Sequence, residues 1–160
     1  MMMLDSMDGL LVLDILMFAE KRSAPVHTES SQDRKESTCR QPARILVVDD
    51  EQAVARFISE LLEMQGYKTE TVADGEDALE LFKQCPERFD LIITDQAMPR
   101  LSGYELAEKV LEIREDMPVI LCTGYSEQVD ENTAKKAGIR EFMLKPLDTR
   151  SLLAYVRELL

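Results

Sequence analysis

Leu91-Ile92-Ile93-Thr94-Asp95-Gln96-Ala97-Met98-Pro99 decides the fold. The apolar run from Phe89 to Thr94 is bounded, β-branched and too short for a helix, so it reads as a buried strand. Asp95 stands where the run stops and is expected to be exposed, its carboxylate at the carboxyl end of the strand. In an open α/β sheet that edge is where ligands bind. Pro99 cannot extend a central strand and biases Met98 away from helix, so a loop follows at once. By itself an aspartate at a strand end is more often a turn former or helix cap than a functional group, and the rest of the chain must decide between these.

Outward from this strand the chain alternates between two periods. Arg44–Asp50 is a strand ending in two acids. Glu51–Gln65 carries Val54, Phe57, Ile58, Leu61, Leu62 and Met64 at helical spacing and is stopped by Gly66. Tyr67–Ala73 is the second strand, and Gly75–Gln84 the second helix, ended by Pro86. Gly103–Asp116 is the third helix, with Leu106, Val110, Leu111 and Ile113 as its apolar positions. Pro118–Cys122 is the fourth strand, with Thr123 at its end. Ser126–Ala137 is a polar fourth helix closed by Gly138. Arg140–Leu144 is the fifth strand. Asp148 caps a last helix that turns Leu152, Leu153, Val156 and Leu159 inward.

Five β–α units with short connections predict an α/β fold, a doubly wound parallel sheet with helices on both faces. Strands one, three and four are near-continuous apolar runs, as fully buried strands are. The second (Lys68-Thr69-Glu70) and fifth (Arg140-Glu141) are mixed, as edge strands are. Placing those two at the edges gives the flavodoxin-like order 2-1-3-4-5, with a switch point between strands one and three. Asp49, Asp50 and Asp95 then meet in one crevice.

Composition narrows the function. The 160 residues suit one domain with an appendage, and 45% hydrophobic content is enough for a core. The net charge is −12; from Arg44 onward 14 Lys+Arg stand against 24 Asp+Glu, so the acidity belongs to the folded part. A phosphate backbone requires a basic face, so nucleic acid is not an expected partner. Cys39, Cys85 and Cys122 are scattered and lack CxxC spacing, which suggests reduced thiols in a cytoplasmic protein. The single histidine, His27, argues against histidine-based metal or triad chemistry.

Residues 1–43 stand outside the fold. In residues 1–22 the apolar run Leu10–Ala19 falls short of the roughly 20 residues that span a bilayer. Acids precede it where a secretory signal is basic. Met7–Arg22 reads as a helix, either an upstream extension with Met7 or Met17 as later starts, or a dimerising or partner-docking element. Residues 23–43, rich in Ser, Thr, Gln and charge, read as a disordered linker to a domain at 44–160.

Three converging carboxylates repel, each pair by about 1 kcal/mol at 4 Å in water and about 4 at an effective dielectric of 20. Nothing basic is adjacent in sequence. A hard divalent cation such as Mg2+, held by two carboxylates, a backbone carbonyl after Asp95 and water, would relieve this. It would also neutralise and orient a phosphoryl group. Asp95 would then be a nucleophile giving an acyl phosphate. Thr123, before Gly124, brings a hydroxyl for a phosphoryl oxygen. Lys145, before Pro146, brings an ammonium that pairs first with Asp95 and then with the phosphoryl group.

Over residues 44–160 the chain resembles a response-regulator receiver domain of two-component signalling. The resemblance rests on Val47-Val48-Asp49-Asp50-Glu51, Asp95-Gln96-Ala97-Met98-Pro99, Gly103-Tyr104-Glu105, Thr123-Gly124 and Lys145-Pro146. It implies Asp95 as phosphoacceptor. It implies Mg2+ on Asp50, Asp95 and the Ala97 carbonyl, with Asp49 acting through water. It implies Thr123 as switch hydroxyl, Lys145 as phosphate-sensing cation and Phe142 as switch aromatic. The fourth helix, fifth strand and fifth helix would be the output face. Ala97 and Tyr125 occupy positions that tune phosphoryl loss in this family, and together they predict slow self-dephosphorylation. The phosphodonor would be a histidine kinase or phosphotransfer protein, since His27 lacks a helical context. The last helix ends at Leu160, so output is expected by protein contact, a homodimer included, or by onward phosphotransfer.

Other classes fit less well. A Mg2+-dependent aspartyl phosphohydrolase needs an acid or base near its nucleophile and a cap over the site, and the chain offers neither. A flavodoxin-like cofactor binder needs a phosphate-cradling loop where this chain has Asp49-Asp50-Glu51. A docking module that is never phosphorylated would not need the complete site.

Overall fold

The computed structural model describes residues 41–124 and 131–160. The apolar segment at 1–22, nearly all of the linker, Tyr125 and the expected start of the fourth helix at Ser126 lie outside the described residues.

The chain runs β1 (Arg44–Val48), α1 (Gln52–Glu63), β2 (Lys68–Val72), α2 (Gly75–Gln84), a 3-10 turn (Pro86–Arg88), β3 (Leu91–Asp95), α3 (Gly103–Ile113), β4 (Val119–Thr123), α4 (Glu131–Lys136), β5 (Glu141–Leu144) and α5 (Thr149–Leu159).

 The sheet order is β2-β1-β3-β4-β5 and every pairing is parallel. This is the expected flavodoxin-like arrangement. Helices cover both faces of the sheet.

Alternation along the strands divides the core in two. Leu46 and Val48 of β1, Ile92 of β3 and Leu121 of β4 point to one face, where they meet Phe82 of α2, Leu106 and Val110 of α3, and Ala134 of α4. Ile45, Val47, Ile93, Ile120 and Cys122 point to the other, against Ile58 and Leu62 of α1 and Leu152 and Val156 of α5 (Thr149–Leu159). Each large side chain fully buried in this way contributes about 1.5–3 kcal/mol. β1, β3 and β4 are buried almost throughout, whereas β2 and β5 are partly exposed, as edge strands are.

Several expectations change. Asp95 is not exposed: only 4% of its surface reaches solvent, because it is the last paired residue of β3, opposite Cys122 of β4. β4 continues to Thr123 because Thr123 pairs with Leu144. The third helix stops at Ile113, where Arg114 takes extended backbone angles. Arg114 then donates through Nη1 to the carbonyls of Pro86 and Phe89, at 3.2 and 2.8 Å, tying the helix end to the turn before β3. Phe57 of α1 and Met64, just past its end, face solvent while Ala55 is buried, and Ile113 of α3 is also exposed. Leu153 and Leu159 pack against the core without full burial.

Candidate functional site

The carboxyl ends of β1 and β3 bring three acids together. Asp49 follows β1 directly, and its N–H donates to the Val72 carbonyl at 3.1 Å. Its Oδ1 accepts from the Glu51 N–H at 2.9 Å. One carboxylate oxygen from each of Asp49, Asp50 and Asp95 lies within 4.8 Å of the others. Asp49 and Asp95 are buried and Asp50 is exposed.

The cation that answers them comes from 50 residues further along the chain. Lys145, just past β5, puts Nζ 2.7 Å from Asp95 Oδ1 and 3.4 Å from Asp49 Oδ2. Asp95 Oδ2 accepts from the Ala97 N–H at 3.1 Å. The Lys145–Pro146 peptide is cis. Burial pushes the Asp49 carboxyl above its ordinary range, against the Glu51 N–H and Lys145, which pull it down. Burial disfavours the Lys145 ammonium, but Asp95 and Asp49 outweigh this and raise its pKa. The Cys122 thiol, buried beside Asp95, is pushed up to about 12 and stays protonated.

Three carboxylates against one ammonium leave the pocket short of positive charge. The donors are all oxygen, with one acid facing water. That set fits a hard cation such as Mg2+, which favours oxygen ligands and keeps part of its water shell.

The loop after Asp95 is fixed by groups that sequence reading did not weigh. The Gln96 N–H donates to the Cys122 carbonyl at 2.7 Å. The Gln96 carbonyl accepts from the N–H groups of Met98 and Gly103, both at 3.2 Å, and its Oε1 accepts from the Tyr104 N–H at 2.9 Å. Gln96 therefore joins the end of β3 to the start of α3. Ser102 and Glu105 form a reciprocal capping box there. The Ser-x-x-Glu spacing is a sequence signal that would have marked this helix start. Gly103 is needed because a Cβ would lie 2.1 Å from the Asp95 carbonyl oxygen.

The remaining expected positions are more separate. Thr123 ends β4, is buried, and turns its hydroxyl to the Gly124 carbonyl at 3.2 Å. Its own carbonyl accepts from the Lys145 N–H at 2.8 Å, which ties the end of β4 to the backbone of Lys145. Phe142 pairs with Leu121 across β4 and β5 and is half-buried.

With this geometry in place, the family model of the response regulator receiver domain matches residues 45–157. The chain belongs to the response regulator receiver family. It is 37% identical over 117 residues to the probable transcriptional regulator ycf27 of Cyanophora paradoxa, covering 73% of this chain and 48% of that protein. To the response regulator MprA of Mycolicibacterium vanbaalenii it is 34% identical over 119 residues, covering 74% and 51%. The chain thus spans about half the length of these curated relatives. A receiver domain protein from Clostridium thermocellum superposes with a TM-score of 0.70 at 32% identity, covering 73% of this chain and 93% of that one. The response regulator TrrA of Thermotoga maritima, solved in complex with Mg2+-BeF, gives 0.66 at 34% identity, covering 74% and 99%. Among the described residues of the receiver, no helix is long and apolar enough to cross a membrane.

Proposed function

We propose that this receiver is a phosphorylation-controlled switch in which Asp95 accepts a phosphoryl group from a histidine kinase or phosphotransfer protein. The observation that carries the reading is the three-acid cluster with Lys145 Nζ at 2.7 Å from Asp95, set at the switch point of the sheet. Asp50, Asp95 and the Ala97 carbonyl would hold Mg2+, with Asp49 acting through water. When bound, Mg2+ supplies the positive charge that offsets the phosphoryl oxygens.

In the transfer, a carboxylate oxygen of Asp95 forms the new O–P bond while the N–P bond of a phosphohistidine donor breaks. The imidazole nitrogen keeps the electron pair and takes a proton from water. Before transfer Lys145 holds Asp95 in place; afterwards its ammonium pairs with a phosphoryl oxygen. Thr123 turns its hydroxyl from the Gly124 carbonyl to the phosphoryl group, and Phe142 moves inward behind it. The change reaches the face made by α4, β5 and α5, where Glu131, Phe142, Leu144 and Tyr155 help line an open hollow of 290 Å³. A target protein or a second copy of the chain reads that face.

The chemistry stops at the acyl phosphate, so the domain is a switch and not an enzyme of general turnover. Ala97 offers no side chain to hold an attacking water, so the acyl phosphate is lost slowly. Loss of the label within seconds would contradict this. The strongly acidic domain is not expected to contact nucleic acid itself, and its setting is taken to be the cytoplasm.

Beryllofluoride with Mg2+, a tetrahedral mimic of the phosphoryl group, tests the switch. Amide resonances of Thr123, Phe142 and Leu144 should shift together when both components are present. Shifts confined to the loop after Asp95 would refute the coupling to the output face.

A further inference from the structure

Arg100 is the one non-glycine residue with positive φ among the described residues, at φ 67°. A side chain with a Cβ holds that conformation only where its surroundings fix it. Here they do. Arg100 Nε donates to Asp74 Oδ2 at 2.8 Å, and Nη2 lies 2.8 Å from Asp74 Oδ1. This is a two-pronged pair, the geometry in which arginine binds a carboxylate most firmly. Nη1 reaches Glu76 Oε2 at 3.0 Å and Nη2 lies 3.6 Å from Asp77 Oδ1.

Asp74 is itself held. It caps α2, and its Oδ1 accepts from the N–H groups of Glu76 and Asp77 at 2.7 and 3.3 Å. The backbone closes the same contact: a Cβ on Gly75 would lie 2.4 Å from the Leu101 carbonyl oxygen. The β3–α3 loop is therefore clamped to the first turn of α2 at Arg100 and Leu101. Its other end is fixed by Asp95 within β3. Ala97 lies between these anchors, and Pro99 limits the freedom of the chain that joins them.

We propose that Arg100, paired with Asp74, is a positioning residue that sets the Ala97 carbonyl for Mg2+ before the ion arrives. The inference rests on the reading of that carbonyl as a metal ligand. With the Arg100 side chain half in water, the ion pair by itself contributes little to stability. The left-handed backbone is the sign of a larger role, because a glycine would meet the turn's needs without strain.

Calorimetric titration of the full chain with Mg2+ tests this, using Arg100→Ala, Arg100→Gly and Asp74→Asn. Asparagine still caps the helix while losing the charge. Loss of a group that orients a metal ligand weakens metal binding by about tenfold or more. We expect that weakening in all three variants, with no further loss in the Asp74→Asn/Arg100→Ala double variant. Simple charge effects predict otherwise: removing a cation would tighten Mg2+ binding and removing an anion would weaken it. Opposite shifts for Arg100→Ala and Asp74→Asn would overturn the proposal. So would parent-like affinity in Arg100→Gly, which keeps the backbone angle without the pair. Amide exchange across residues 96–102 in the metal-free variants should quicken; unchanged exchange there would overturn the proposal too. A parent chain that binds no Mg2+ would instead remove the underlying metal-site reading.

Discussion

Replacing Gly103 by alanine sets two effects of opposite sign against each other. Within a helix, alanine is favoured over glycine by about 1 kcal/mol, so propensity alone predicts a more stable protein. The tertiary structure predicts the reverse. The added Cβ would lie 2.1 Å from the Asp95 carbonyl oxygen, 2.8 Å from its carbon and 2.9 Å from Leu121 Cδ1. Real Cβ atoms keep at least 3.0 Å, so the first turn of α3 must retreat by about 0.9 Å from a close-packed strand end. The obstacle is backbone in a buried strand and cannot turn aside. The retreat stretches the Gly103 N–H bond to the Gln96 carbonyl and the Tyr104 N–H bond to Gln96 Oε1, now 3.2 and 2.9 Å. Two such bonds are worth about 1 kcal/mol each, and overpacking costs about 1–3 more. Less the helix gain, Gly103→Ala should destabilise by about 2–4 kcal/mol. Urea denaturation of the metal-free chain measures this as a lower midpoint at unchanged slope. Phosphorylation should slow as well, since misplacing a reacting group by about 1 Å can cost 10²-fold in rate. Gly66→Ala is the control. Gly66 has φ +90° with nothing within 4 Å of a Cβ, so alanine there costs about 1–2 kcal/mol of backbone strain without touching the site. A Gly103→Ala protein as stable as the parent, with unchanged phosphorylation, would refute the reasoning.

Three further outcomes are expected. The folded-state pKa of Asp49 is raised above the ordinary 3.8, so its contribution to stability is full below 3.8 and is lost as pH rises through the folded value. Asp49→Asn should therefore gain most over the metal-free parent at neutral pH, and urea midpoints should converge on acidification; a gap that widens would contradict this. At about 100 times its Kd, Mg2+ should stabilise the folded state by about 2.7 kcal/mol, a rise on the order of 10 °C in Tm, and Asp50→Asn should reduce the rise. Identical melts with and without Mg2+ would count against the metal site. Asp148→Ala removes the cap of α5, which accepts from the Ser151 N–H at 2.9 Å, and should lower stability by about 1 kcal/mol in urea titrations. An unchanged midpoint would mean that water replaces the cap at no cost.

The sheet order was legible because burial leaves a direct mark on composition. β1, β3 and β4 lie between neighbours with both faces covered, so their runs are apolar throughout; β2 and β5 are edges and carry Lys68, Glu70 and Glu141. The positions of Asp49, Asp50, Asp95, Thr123 and Lys145 were legible for the same reason, since each stands where an apolar run stops. The burial of Asp95 was not. It depends on β4 beside it and on Lys145 above it, neither of which the local run contains. Helical periodicity marked an apolar face on α1 but not how much of that face has a partner, so Phe57 and Met64 read as core and stand in water. The close approach of Gly103 to the Asp95 carbonyl and the Arg100–Asp74 pair were hidden because they are contacts between segments that only the fold brings together. The Arg100–Asp74 contact joins residues 26 apart in the chain.

The most direct test of the central claim is the intact mass of the full chain after incubation with Mg2+ and a small acyl-phosphate donor, beside Asp95→Asn. The account predicts a gain of one phosphoryl group in the parent, none in the variant, and none in the parent when a chelator is present. No gain in the parent with any donor, or an equal gain in parent and variant, would contradict it.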